Sequence, residues 1–103
     1  MSTVQNKQNI SSIVMKPITR CFCPLGDAWY TSHFEVVFNP ADTIPDYCDV
    51  DRWIKENIDG KSLIIEDAVS ALYDYLLAYN PAGLHVVADV KDAGHFAVEV
   101  YKQ

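Results

Sequence analysis

Apolar and polar positions recur with two different periods along this chain, and each change of period marks an element. In His33-Phe-Glu-Val-Val-Phe38, β-branched and aromatic residues crowd a short run that Asn39-Pro40 stops, which predicts a strand. Residues 12–20 are a candidate partner strand, with Pro17 at an edge or bulge because proline has no N–H for a ladder. From Asp49, read as an N-cap, the period lengthens. Val50, Trp53, Ile54 and Ile58 share one helical face, and Asp59-Gly60 ends it. A second helix is predicted from Ser62. Its stripe of Ile65, Ala68, Val69, Leu72, Tyr75, Leu76 and Tyr79 is continuous until Asn80-Pro81-Ala82-Gly83. Period two then returns. Leu84, Val86, Ala88 and Val90 alternate with His85, Val87 and Asp89, and Phe96, Val98 and Val100 with Ala97, Glu99 and Tyr101. Residues 91–94 are read as the turn of a hairpin.

The predicted order is β-β-α-α-β-β, an α+β fold. Two amphipathic helices each need to bury a stripe, and one face of a four-stranded antiparallel sheet receives both. The other face and both sheet edges stay open. Edge strands need a partner or protection, and several sheets joined edge to edge into one oligomeric barrel would supply it. The polar residues 1–11 are read as a flexible N-terminal arm ahead of a single domain, 12–103.

Composition narrows the function classes. Half the residues are hydrophobic and 21% are charged, which suits a packed core rather than a disordered chain. The net charge of −6 works against binding tRNA or any broad phosphate surface, since such affinity comes from lysine and arginine. No apolar run reaches the length of a membrane helix. The polar start and the odd count of three cysteines point to a reducing, cytoplasmic compartment.

The thiols carry the candidate chemistry, above all in Cys21-Phe-Cys-Pro-Leu-Gly-Asp-Ala28. Zinc has possible donors in Cys21, Cys23, Cys48, His33, His85 and His95. No Cys-x-x-Cys or His-x-His pair is present, and the Cys21-x-Cys23 step is expected to send its two side chains to opposite sides, so no metal is expected. A dithiol redox motif would place two residues between its cysteines. Cys21 and Cys48 are then read as small, partly buried hydrophobes.

The layout resembles the tunnelling fold. Within it the chain is most similar to 7-cyano-7-deazaguanine reductase (QueF) and its amidine-forming QueF-like relatives. Cys23-Pro24 opens a loop, Pro40 follows seventeen positions after the cysteine, and Glu66 stands 43 positions after it, at the start of the second helix. The resemblance implies a purine- or pterin-like ligand bound in a homo-oligomer. Glu66 would anchor the guanidine-like edge of the heterocycle through paired N–H bonds. Cys23 would add to a nitrile carbon and form a thioimide, with a neighbouring acid supplying a proton. The family places an aspartate seven residues after its cysteine. Here Tyr30 stands there, so Asp27 is the candidate acid-base. Trp29 and Tyr30 are candidates to stack on a flat ring, and His33 to touch the ligand. Where the reductase carries a Glu-Ser-Lys-Ser-type motif for NADPH, this chain reads Tyr47-Cys-Asp-Val-Asp-Arg-Trp53, so no NADPH is expected. Ammonia, an amine or water would open the thioimide instead.

Two other readings stay open. "IPDY" (44–47), "IIED" (64–67) and "VADVK" (87–91) resemble dihydroneopterin aldolase, in which Tyr47 and Glu66 would line a pterin pocket and Lys91 would handle the proton. A binding protein that kept the pocket and lost the chemistry is the third, since Tyr30 and Ile65 replace the reductase's aspartate and histidine.

Overall fold

The computed structural model describes residues 2–103 and, for Ala93, its backbone. One long strand organises the sheet. β4 (Ala28–Asn39) buries Tyr30, Ser32, Phe34, Val36 and Phe38 on one side and turns Trp29, His33 and Glu35 to the other. β2 (Ile13–Met15) pairs with its C-terminal half and β3 (Ile18–Cys23) with its N-terminal half. On its other edge β4 pairs with β6 (Gly83–Ala93), and β6 with β7 (Phe96–Lys102), all antiparallel. The single strand expected over 12–20 is therefore interrupted, and the sheet has five strands in four lanes. The cause is Pro17. It lacks a donor, and its carbonyl accepts from the Phe34 N–H at 2.9 Å.

α1 (Tyr47–Asn57) and α2 (Ile65–Leu77) cover the buried face. Val50 and Ile54 of α1, with Ile58 just after it, meet Ala68, Val69, Leu72 and Leu76 of α2 in one core with Phe34, Phe38, Val86 and Ala88. Trp53 and Tyr75 stack between the helices, ring centroids 4.3 Å apart and planes 7° from parallel. Lys102 Nζ, at the end of β7, donates to Ser70 Oγ at 2.7 Å and ties the last strand to α2. No helix among the described residues is long and apolar enough to cross a membrane.

Several boundaries differ from the sequence expectations. α1 starts at Tyr47, because Asp46 caps it by accepting from the Cys48 N–H at 2.9 Å. Asp49 instead accepts from the Ser2 N–H at 2.8 Å. That bond holds β1 (Thr3–Gln5) beside β5 (Thr43–Pro45), so part of the segment read as an arm is a paired strand. Met1, the first residue of that arm, lies outside the described residues. α2 begins after Ser62, which is engaged in a bridge to Phe22. The closing hairpin turns at Gly94-His95, with Gly94 at φ 80°, the first-position glycine of a type II′ turn. Lys91 and Asp92 are therefore strand residues.

Candidate functional site

A thiol and a carboxylate 43 positions apart in sequence meet because a short segment runs beside β3. The Gly60 N–H donates to the Arg20 carbonyl at 2.8 Å, the Phe22 N–H to the Lys61 carbonyl at 2.9 Å, and the Leu63 N–H to the Phe22 carbonyl at 3.0 Å. Residues 60–63 thus form a further, parallel lane beside β3. Cys23 is the next residue on one side of this lane, and the first turn of α2, with Glu66, is the next element on the other. Two buried contacts pin the arrangement. Cys21 Sγ donates to the Ile58 carbonyl at 3.1 Å, and the Tyr30 hydroxyl donates to the Leu63 carbonyl. Burial first, and then the nearby Cys21, push the Tyr30 phenol above its ordinary range. Burial likewise raises the Cys21 thiol.

Between these elements lies a cavity of about 400 Å³, lined by Cys23, Trp29, Tyr30, Ile65, Glu66 and Asp92 among others. That size is within the range of small-molecule sites. Cys23 ends β3 and pairs with Ala28 across the turn formed by residues 24–27. The turn aims the Gly26 N–H at Cys23 Sγ, 3.4 Å away. A sulfur carrying negative charge accepts such a bond. Trp29 is half exposed and meets Phe22 edge to face, centroids 5.7 Å apart. Tyr30 is buried with its hydroxyl engaged, so it forms a wall of the cavity.

Four of the expected site residues, Cys23, Trp29, Tyr30 and Glu66, thus share one cavity. The others lie elsewhere in the chain. Asp27 sits in the exposed turn at φ 51° and is not among the cavity's lining residues. His33 faces the opposite side of the sheet, in a concavity of about 590 Å³ with Lys16, Glu35, His85, Asp89 and Tyr101. Tyr47 is exposed at the start of α1 beside Cys48 and Arg52. Lys91 pairs with Asp89 at 3.5 Å. The trio Tyr47, Glu66 and Lys91 is therefore spread over three places within one chain.

Two further points correct the sequence expectations. Cys21 and Cys23 lie on the same face of β3, since residues two apart along a strand point the same way. Cys21 is buried in the core, Cys23 lies partly open at the cavity, and Cys48 is exposed rather than part of the core. Asp92 was hidden inside a segment read as a turn. Strand alternation from Val90 was the one signal that could have placed it on the cavity side. Among the described residues, no group of three or more histidine, cysteine, aspartate or glutamate side chains is placed to hold a metal ion.

No protein-family model matches the chain, and no curated protein matches it. Solved structures do. A crystal structure of the archaeosine synthase QueF-like in its apo form superposes with a TM-score of 0.80 over 90% of this chain and 92% of that one, at 18% sequence identity. At that identity the likeness is one of fold. The chain has the architecture of the QueF-like archaeosine synthase, the α+β tunnelling fold.

Proposed function

We propose that this chain is an enzyme acting on a purine-like nitrile such as 7-cyano-7-deazaguanine, through a covalent thioimide on Cys23. The observation that carries the reading is the shared cavity: a partly open thiol beside a backbone N–H, with a helix-start carboxylate on the same wall. Glu66 accepts two parallel N–H bonds from the amino-pyrimidinone edge and holds the heterocycle flat. Trp29 covers one side of the ring. The Cys23 sulfur bonds to the nitrile carbon, one C–N π pair moves to nitrogen, and nitrogen takes a proton. The product is a neutral thioimide that retains every atom of the ligand. Ammonia or an amine then attacks the same carbon and expels the thiol, leaving an amidine, with no hydride and no NADPH. The net charge of −6 favours a free base over a tRNA-borne one. Copies of the chain join through the open sheet edges, β2 on one side and β7 on the other.

An intact mass spectrum after incubation with 7-cyano-7-deazaguanine tests this. The expected result is a gain of one whole ligand in the wild type, none in Cys23→Ala, and a much weaker ligand affinity in Glu66→Ala. Wild-type protein that binds the ligand without a mass gain would be a binding protein rather than an enzyme of this kind. Failure to bind at all would remove the nitrile reading.

A further inference from the structure

Asp92 occupies an irregular stretch of β6. From Val90 to Ala93 the strand runs opposite Val98 to Phe96 of β7, one residue more on β6 than on its partner. Such a bulge locally redirects the backbone and the side chains it carries. Just beyond the last backbone pair between β4 and β6, Ser32 with Val90, the Asp92 carboxylate accepts from the Thr31 N–H, at 3.1 Å to Oδ1 and 3.2 Å to Oδ2. This fixes the side chain beside Tyr30, on the wall of the cavity that holds Cys23 and Glu66.

The other proton donors near the thiol are accounted for. The Tyr30 hydroxyl donates to the Leu63 carbonyl and sits in the core. Asp27 projects from an exposed turn. Glu66, in the nitrile reading, is occupied by the heterocycle edge. Among the described residues lining the cavity, Asp92 is the remaining carboxylate.

We propose that Asp92, delivered from the opposite hairpin, is the acid-base group that serves Cys23. This rests on the nitrile reading and adds a residue to it. The proton that leaves the Cys23 thiol passes to the Asp92 carboxylate and from there to the nitrile nitrogen as the carbon–sulfur bond forms. No oxidant or reductant enters, and Asp92 ends as it began. When an amine opens the thioimide, Asp92 takes the surplus proton from the amine and returns one to the departing sulfur.

The test compares the rate of adduct formation with 7-cyano-7-deazaguanine in wild type, Asp92→Asn and Asp27→Asn. Alkylation of Cys23 by iodoacetamide is measured alongside. Asparagine keeps an oxygen for the Thr31 N–H, so the hairpin is preserved. Alkylation, run at about pH 9 where hydroxide deprotonates ordinary thiols, needs no protein base and delivers no proton to its electrophile, so a group acting only as a proton carrier leaves it alone. The expected result is an adduct rate in Asp92→Asn lower by about 100-fold or more, with iodoacetamide alkylation unchanged. An unchanged adduct rate in Asp92→Asn overturns the assignment, the more so if Asp27→Asn slows it. Equal slowing of both reactions also overturns it, because the role is then structural. An adduct in wild type with no effect of Asp92→Asn removes Asp92 alone, whereas no adduct in wild type removes the nitrile reading and Asp92 with it.

Discussion

At the scale of single residues, the three cysteines separate by environment rather than by sequence. Cys21 is buried with its sulfur donating to Ile58, and burial holds its thiol above the ordinary range. Only the thiolate is a good nucleophile. Iodoacetamide in the native state at about pH 8, near the ordinary thiol value, is therefore expected to modify Cys23 and Cys48 and to spare Cys21. Peptide mapping reads this directly, and labelling of Cys21 as fast as Cys48 would contradict the burial. Cys23 stood out in the string because Cys-Pro and the downstream glutamate keep the spacing of the resembled family, and the structure places both residues at one cavity. Asp92 was passed over because Lys-Asp-Ala-Gly read as a turn, although alternation from Val90 would put it on the cavity side if the strand continued. Asp27 looked suitable by proximity along the chain, yet the turn that brings Gly26 N–H to the sulfur leaves its carboxylate outside the cavity lining.

At the scale of elements, Tyr30 joins β4 to the start of α2 through Leu63. Its phenol is raised chiefly by burial, so the folded state favours the neutral hydroxyl. Stability from this group is complete below the unfolded tyrosine value of about 10 and is lost as pH climbs through the higher folded value. Tyr30→Phe is expected to cost roughly 1 kcal/mol near neutral pH, since the Leu63 carbonyl loses its donor. Above about pH 10 the variant should lose stability less steeply than wild type. Urea unfolding of both proteins across that range decides it, and parallel curves would show that Tyr30 ionises alike in both states. Helical and strand periods placed α1, α2, β6 and β7 to within a few residues, whereas β4 begins at Ala28, five residues before the predicted start at His33. The ends shifted where a neighbour competed. Ser62 is engaged with Phe22 instead of capping a helix, and Asp49 holds Ser2 instead of starting one.

At the scale of the molecule, two sheet edges and the sheet face carrying His33, His85 and Tyr101 remain open in one chain. Association through those edges is expected to appear in sedimentation equilibrium as a mass several times 11.6 kDa. A monomer at all concentrations would remove the barrel from the proposal. The order of elements, the helical stripes and the placing of both helices on one sheet face followed from local composition and period alone, because burying each apolar stripe leaves few arrangements of two helices and four strand lanes. What folding alone decided is the site. The hydrogen bonds between residues 60–63 and β3 bring Glu66 to Cys23, and the bulge in β6 carries Asp92 to the same cavity. The first joins distant segments through backbone bonds that almost any residue can make, so no residue pattern announces it, and the second needs a side-chain acceptor for the Thr31 N–H that only the folded sheet brings opposite.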